Sequence, residues 1–430
     1  MSQSQVATVR FALGCPRSQM DGALILKYLK INGWTLSDDL QRANLVLVFT
    51  CGVTQREEDI SLRCVAATAR KKSAEAPLVI LGCLAGINPQ RLAEYGCICI
   101  PPKDLDRLDE VIGPVVPIAR IADPNQLQKF RPDKRFCDTF RERLSRKTNY
   151  GFSLAERLWF RLRHGQRLCS GSNKYCYADT FAIRVAHGCQ GECTYCGIRN
   201  AAGPLISKPP EQIMAEFRRG LDQGHLLFSL IAGDVGAYGQ DIGTDIAELM
   251  ESIFSVEQNC KVLIMDFSPK WLIQYYDRLF PLLTKNADRI GYASFPVQSG
   301  SDHVLDRMKR GYSRADAERC LSRLQRAAPQ LDTLTHVMIG FPGETQDDFL
   351  ETVDLIRRTR FRKVSVYKYE DRPGTDSLLM PDKLSEKVKA RRIRQFYRTF
   401  PGIGHYGDEQ EVQDDPAAAE PQPEPAAVNH

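Results

Sequence analysis

The sequence lacks the features that mark membrane, secreted and repeat proteins. No apolar run among its 430 residues approaches the roughly 20 residues that a membrane-spanning helix needs. The first eight residues are polar and lack the apolar stretch of a signal peptide. No self-similarity appears at the periods that mark solenoids and propellers. We therefore expect a cytoplasmic globular protein of two or three domains that does not bind membranes.

The excess of charge of one sign is also small, since the net charge is only +5. Such a balance permits an acidic partner but does not require one. Cysteine, by contrast, is abundant, with 14 residues. Disulfides are rare in a reducing compartment, where clustered cysteines more often bind metal or perform chemistry.

The first hundred residues alternate between strand and helix patterns. The run Leu45–Phe49 is continuously apolar, as in a strand buried on both faces of a parallel sheet. Further strands are predicted over 9–13, 77–81 and 97–100, with helices up to Ile31 and over 57–72. This pattern predicts an α/β fold with a doubly wound parallel sheet.

A second series of strands separated by helices runs from Thr180 to about Tyr369. It predicts a partial (β/α)6 barrel of parallel strands. The six predicted strands are 181–185, 227–231, 262–265, 291–296, 335–339 and 363–367.

The remaining segments have biased compositions. Residues 129–167 hold twelve Lys or Arg against four acids, which indicates either a solvated linker or a landing surface for RNA or an acidic peptide. From Asp408 onward there are seven acids and no Lys or Arg, as is typical of a disordered tail. We therefore divide the chain at 1–118, 119–178, 179–390 and 391–430.

Three cysteines follow the first strand of the second series in the pattern C-x-x-x-C-x-x-C. Cys189, Cys193 and Cys196 can hold three irons of a 4Fe–4S cluster, which thiolates bind, and leave one iron open for S-adenosylmethionine (SAM). A zinc site is the alternative, but zinc usually takes four ligands and the spacing of His187 is poor for the fourth.

Three more cysteines each follow a predicted strand of the first series. The carboxyl ends of parallel strands lie at one edge of a sheet, so Cys15, Cys51 and Cys83 should converge there and could hold a second cluster. The alternative is that they are small buried residues. We read the other eight cysteines, such as Cys64 and Cys320, as core residues; Cys169 and Cys176, which follow the basic segment, could also bind metal.

These segments together resemble the radical SAM methylthiotransferase family, whose members modify tRNA adenosines or an aspartate of a ribosomal protein. The resemblance covers about residues 8–115 and 180–390. Besides the triplet, the matching segments are Leu13-Gly-Cys-Pro-Arg-Ser-Gln-Met-Asp21, Thr50-Cys-Gly-Val-Thr54, Leu81-Gly-Cys-Leu-Ala85, Tyr238-Gly-Gln-Asp241, Pro296-Val-Gln-Ser-Gly-Ser301, Met308-Lys-Arg-Gly-Tyr312, Gly340-Phe-Pro-Gly-Glu-Thr345 and Arg372-Pro-Gly-Thr375.

The resemblance implies two 4Fe–4S clusters, SAM, an external electron donor of flavodoxin or ferredoxin type, and a tRNA or ribosomal-protein substrate. One SAM methylates a sulfur at the second cluster, and another yields the radical that abstracts a substrate hydrogen. The sequence singles out no general acid or base. By the same resemblance, the residues that contact SAM are Tyr195, Gly233, Asp234, Gln298 and Ser299.

Three features depart from the family pattern. No strand series follows Lys389, where members usually end in a small β-barrel; Ala202 and Gly233 replace an Arg and a Gln. Three other functions therefore stay open. The substrate could be a ribosomally made precursor peptide, the second cluster could only carry electrons, or the protein could be an iron–sulfur sensor or scaffold without catalysis.

Overall fold

The computed structural model describes residues 5–128 and 180–400. The basic segment 129–167, the cysteines Cys169 and Cys176, and the acidic tail lie outside the described residues. No helix in the described ranges is long and apolar enough to cross a membrane.

The N-terminal sheet has five parallel strands in the order β2-β1-β3-β4-β5. Its strands are β1 (Val6–Phe11), β2 (Thr35–Leu36), β3 (Leu45–Thr50), β4 (Leu78–Gly82) and β5 (Ile98–Ile100). Its α-helices are α1 (Pro16–Ile31), α2 (Gln55–Lys71), α3 (Cys83–Ile87) and α4 (Leu108–Ile112), and its 3₁₀-helices are Pro89–Tyr95, Pro102–Arg107 and Ile118–Arg120. All six residues of β3 are buried, as the apolar run predicts. The predicted doubly wound sheet is confirmed, because strand order reverses at β1, between β2 and β3.

The second sheet, which we call the barrel, has six parallel strands in sequence order. They are β6 (Phe181–Arg184), β9 (Leu227–Ile231), β10 (Lys261–Ile264), β11 (Ile290–Ser294), β12 (Thr333–Ile339) and β13 (Lys363–Lys368). A short antiparallel pair, β7 (Ala186–His187) and β8 (Ile206–Ser207), follows β6. All six predicted strands are confirmed within two residues, and so is the partial (β/α)6 barrel.

Helices separate the barrel strands and cover one face of the sheet. The α-helices are α5 (Ile198–Ala202), α6 (Pro210–Asp222), α7 (Ile246–Ser255), α8 (Pro269–Gln274), α9 (Tyr276–Lys285), α10 (Asp302–Arg307), α11 (Arg314–Ala327), α12 (Gln346–Thr359) and α13 (Glu386–Thr399), and the 3₁₀-helices are Val235–Ala237, Ala287–Arg289 and Asp376–Leu379. Their apolar side chains pack on alternate residues of the strands and form the largest core of the described chain. After β13, the described residues contain helices but no further strand.

Candidate active site

The Cys189–Cys196 loop lies beyond β6, between the two strands of the short antiparallel pair. Its thiols are neighbours: burial, then the charge of Asp234, raises the pKa of Cys189 to about 12, and the other two cysteines contribute to that shift. Burial, followed by the charge of Cys193, raises the pKa of Cys196. The loop therefore gathers three thiols in a place where an uncompensated thiolate charge is unfavourable.

The other three predicted cysteines also come together. Cys15 immediately precedes α1, Cys51 follows β3, and Cys83 is the first residue of α3. Burial, then the charge of Cys15, raises the pKa of Cys83 to about 12. Burial raises the pKa of Cys51 as well, with smaller contributions from Cys83 and Cys15. These mutual effects place the three thiols at the same edge of the N-terminal sheet.

Local backbone contacts hold two of these cysteines in place. Gly82 has a φ of 95°, and a Cβ at this position would lie only 2.3 Å from the carbonyl oxygen of Thr50. Only glycine can therefore bring the turn before Cys83 so close to the strand that leads to Cys51. The Cys51 N–H donates to the Ser61 hydroxyl at 2.9 Å, and that hydroxyl donates to the Cys51 carbonyl at 2.9 Å.

The two groups of cysteines face each other across the contact between the N-terminal sheet and the barrel. Helix α3 begins at Cys83, and α5 begins two residues after Cys196. The two helices touch through small residues, because a Cβ on Gly86 would lie 2.7 Å from the Cα of Ala201. The charge of Cys196 also contributes to the raised pKa of Cys83, after burial and nearer charges. The six thiols therefore border one shared region.

Two buried ion pairs fix this arrangement. The Arg372 guanidinium pairs with the Glu58 carboxylate, and the two side chains are 5% and 1% exposed. Arg372 also donates to the carbonyl oxygen of Gly52 at 2.7 Å, directly beside a predicted cluster ligand. On the other side, Arg184 of β6 pairs with Asp21 of α1 at 2.6 Å. Both pairs join the N-terminal sheet to the barrel.

Arg17 is a functional candidate that sequence reasoning missed. Burial lowers its pKa, but the charges of Cys15, Asp266 and Cys83 outweigh burial and raise it. Arg17 also contributes to the pKa of Cys196. Its cation thus lies near thiols of both groups, and its place two residues after the first predicted ligand was an available signal.

Arg310 is a second missed candidate, within a segment that we matched without assigning a role. Its side chain is buried, and its Nη1 donates to the sulfur of Cys193 at 3.1 Å and to the Tyr195 hydroxyl at 3.4 Å. Its Nη2 donates to the Pro296 carbonyl at 2.8 Å. Tyr195 packs edge-on against Phe341, with ring centroids 6.5 Å apart. A fixed cation therefore lies beside the triplet and the aromatic residue expected to contact SAM.

Gln298 has the features of a residue that contacts a ligand. Its φ of 65° is rare for a residue other than glycine. Its Oε1 is buried and has no hydrogen-bond partner among the described residues. Gly233 allows two backbone segments to lie close together, because a Cβ there would lie 2.2 Å from the carbonyl oxygen of Gly188, next to the triplet.

The other two predicted SAM contacts make hydrogen bonds within the protein. The Asp234 carboxylate accepts from the N–H of Ser268 at 3.0 Å and from the indole N–H of Trp271 at 2.8 Å. The Ser299 hydroxyl lies 3.3 Å from that of Thr352 on α12. In this arrangement both residues fix the loops that follow β9 and β11.

The alternative ligand set fits less well. His187 lies on the short strand before the loop, and its side chain is exposed. Its Nδ1 lies 3.2 Å from the Nη1 of Arg184. Across residues 5–128 and 180–400, no three His, Cys, Asp or Glu side chains are placed to hold one metal ion. Each thiolate of a 4Fe–4S cluster binds a different iron, so its ligands need not converge on one point. Cys64 and Cys320 are buried, as expected for core residues.

Comparison with known proteins agrees with this division of the site. Residues 183–356 match the family model "Radical SAM superfamily", and residues 8–98 match "Uncharacterized protein family UPF0004". The chain is 28% identical to the "Probable threonylcarbamoyladenosine tRNA methylthiotransferase" of Pyrococcus horikoshii, over 84% of this chain and 76% of that protein. It is 29% identical to the "Ribosomal protein uS12 methylthiotransferase RimO" of Citrifermentans bemidjiense, over 90% of this chain and 80% of that protein.

The chain belongs to the radical SAM methylthiotransferase family. It is therefore an enzyme of this class, with a 4Fe–4S cluster and SAM as cofactors. The fold agrees with that of a radical SAM methyltransferase, TsrM, from Kitasatospora setae, with a TM-score of 0.56 and 14% identity over 87% of this chain and 77% of that one.

Proposed function

We propose that this methylthiotransferase uses two 4Fe–4S clusters to insert a methylthio group into a C–H bond of tRNA or a ribosomal protein. The observation that supports the proposal best is the close packing of α3 on α5. It brings Cys83, and with it Cys15 and Cys51, opposite the triplet that ends at Cys196.

The residues present fit two clusters. Six thiols are available in two groups of three, and three thiolates leave one iron of each cluster open. When bound, the clusters supply the electron that cleaves SAM to a radical and the sulfur that is methylated and transferred. The raised pKa values of Cys51, Cys83, Cys189 and Cys196 mean that iron must replace protons on these thiols, so cluster binding releases protons.

Two arginines supply positive charge near the thiolates that would hold the clusters. Arg17 offers a cation to the second cluster, and charge near a cluster changes its reduction potential. Arg310 touches Cys193 and Tyr195, and in this proposal its guanidinium binds the SAM carboxylate. In this proposal the buried, unpaired Oε1 of Gln298 accepts a hydrogen bond from SAM. Asp234 and Ser299 act through the loops that they hold.

The division at 1–118, 119–178, 179–390 and 391–430 is part of the proposal. In it the first unit carries the second cluster, the third carries the radical chemistry, and an electron donor of flavodoxin or ferredoxin type reduces the enzyme. Relatives named for tRNA and for ribosomal protein match to a similar degree, at 27–29% identity. We therefore keep both substrates, and a peptide substrate remains the alternative.

The two-cluster proposal is tested by comparing Cys51→Ala with Cys320→Ala, a buried cysteine outside both groups. Wild type and Cys320→Ala should bind about eight irons and give a product heavier by SCH₂. Cys51→Ala should keep the four irons at the triplet and form deoxyadenosine without that product. Full iron content and methylthiolation in Cys51→Ala would exclude the second cluster.

The substrate is tested by comparing the masses of cellular tRNA, ribosomal proteins and small peptides with and without this protein. A mass increase of SCH₂ that depends on Cys51 identifies the substrate. A product that has only lost two hydrogens would instead indicate a second cluster that carries electrons. Failure to form deoxyadenosine from SAM and a reductant under anaerobic conditions would indicate a sensor.

A further inference from the structure

A pair of cysteines outside both cluster sites lies at the edge of the N-terminal sheet. Cys97 immediately precedes β5 and Cys99 lies in its middle, so the two side chains point to the same face. Their sulfur atoms are 3.9 Å apart, and both residues are partly exposed. Both residues pack against the core on this side of the sheet, as expected from the sequence, but neither is fully buried.

The strand that carries this pair has freedom to adjust. In the described part of the chain, β5 is an edge strand of three residues that pairs only with β4. A disulfide needs a sulfur–sulfur distance of about 2.0 Å and Cβ atoms about 3.5–4.5 Å apart. Residues i and i+2 of an extended strand lie about 6.6 Å apart, so closing the pair from 3.9 Å requires the backbone at Ile98 to bend. An edge strand can make this local change by breaking hydrogen bonds to only one neighbouring strand, which here is β4.

The two sulfurs are not equivalent. A hydrogen bond from Cys97 and the positive charge of Arg107 lower the pKa of Cys99 despite partial burial. The Nη1 of Arg107 also donates to the Cys99 carbonyl at 3.4 Å. The Cys97 sulfur also lies 3.4 Å from the carbonyl oxygen of Leu92, beside which a negative charge on Cys97 would be unfavourable. This arrangement favours a thiolate on Cys99 beside a protonated Cys97, as in pairs of nucleophilic and resolving cysteines.

We propose that Cys97 and Cys99 form a modification site at which a low-molecular-weight disulfide reversibly oxidises the pair to a Cys97–Cys99 disulfide. The Cys99 thiolate attacks one sulfur of the small disulfide, forms a mixed disulfide and releases one thiolate, which takes up a proton. Cys97 then loses its proton and attacks the Cys99 sulfur, which closes the internal disulfide and releases the second thiol. Two protein thiols are oxidised and one small disulfide is reduced to two thiols.

The test uses the cluster-loaded enzyme equilibrated anaerobically with glutathione and glutathione disulfide at varied ratios, then blocked with an alkylating reagent and digested with trypsin. Cleavage after Arg91 and Lys103 gives one peptide, 92–103, that contains both cysteines and no other. The oxidised peptide is unalkylated and lighter by two hydrogen atoms than the unmodified thiol form, whereas the reduced peptide carries two labels.

We expect the unalkylated, closed peptide to increase with glutathione disulfide and to disappear on return to excess glutathione. Cys97→Ser should trap glutathione on Cys99, whereas Cys99→Ser should trap about tenfold less on Cys97 because its thiol is protonated. The buried thiols of Cys260 and Cys320 should stay reduced and serve as internal controls. A wild-type peptide that always carries two labels, or mixed disulfides without closure, would overturn the proposal.

Discussion

Replacing Arg372 by Met should loosen the contact between the N-terminal sheet and the barrel. Arg372 is the barrel partner of Glu58 on α2 and also binds the Gly52 carbonyl beside Cys51. Methionine preserves part of the packing volume but removes the charge and all donors. The change therefore leaves a carboxylate that is 1% exposed without its buried counter-ion.

The expected loss of stability is about 3 kcal/mol. Breaking a buried ion pair by removing one partner usually costs about 3–5 kcal/mol, because the remaining charge stays desolvated. The lower end applies here, since Glu58 keeps hydrogen bonds from Arg91 at 2.8 Å and Asn88 at 2.9 Å. Adding Glu58→Gln removes the unpaired charge, so the double variant should recover about half of the loss.

The matched control is Arg362→Met, which removes an exposed pair with Asp332 at 3.1 Å. Such surface pairs contribute about 1 kcal/mol or less. Stability is measured by urea unfolding of the cluster-loaded enzyme, and function by the ratio of methylthiolated product to deoxyadenosine. We expect Arg372→Met to lower both quantities and Arg362→Met to change neither. If Arg372→Met stays within 1 kcal/mol of wild type with the same product ratio, the pair does not hold the site together.

Three further changes test other parts of the site. Gly86→Ala places a Cβ 2.7 Å from the backbone of Ala201, so it should cost about 1–3 kcal/mol in urea unfolding and reduce iron content at the second cluster. Arg310→Lys should leave iron content unchanged but weaken SAM binding about tenfold in equilibrium titration, because a charge-assisted hydrogen bond is lost. Arg391→Lys on the surface is the control. Equal affinities of wild type and Arg310→Lys for SAM would contradict the assignment. Asp348→Asn should cost about 2 kcal/mol at pH 7, because hydrogen bonds from Ser301 and Thr345 outweigh burial and lower the pKa of this carboxylate to about 2. The carboxylate's contribution to stability is fully present above the pKa of the unfolded chain and is lost as the pH falls through the folded pKa. The difference in urea midpoint between wild type and variant should therefore shrink as the pH falls from about 3.8 toward 2. A difference that stays constant with pH would contradict this prediction.

The strands were predictable because hydrophobic patterning determines them. The continuous apolar run at Leu45 has the length of a strand rather than of a helix, which favours a doubly buried strand, and the barrel strands repeat the same signal. The first strand lies earlier than predicted, over Val6–Phe11, because Ala12 and Leu13 are buried in the turn toward Cys15 instead. Helix α2 begins before the predicted residue, because Thr54 and Glu57 form a capping box. That T-x-x-E signal was present in the sequence and fixes the start.

The grouping of Cys15, Cys51 and Cys83 was predictable for a geometric reason. Parallel strands that are neighbours in a sheet present their carboxyl ends together, so residues that follow the ends of β1, β3 and β4 meet however far apart they are in sequence. Arg17 and Arg310 could not be ranked in the same way. Only Arg17 had a local signal, which is its place two residues after Cys15. The significance of both arginines comes from charges contributed by distant segments.

The orientation of the two cysteine groups toward each other is determined by the packing between the N-terminal sheet and the barrel, which the strand pattern does not predict. It requires α3 and α5 to pack at backbone distance, which Gly86 and Ala201 allow because neither carries a bulky side chain. It also requires charges buried on both sides, Glu58 and Asp21 on one and Arg372 and Arg184 on the other, to meet on docking. Each of these charges would be strongly unfavourable in an apolar interface without its partner. The ion pairs therefore penalise docking arrangements in which these charges do not meet, and this selectivity favours the alignment of the six thiols.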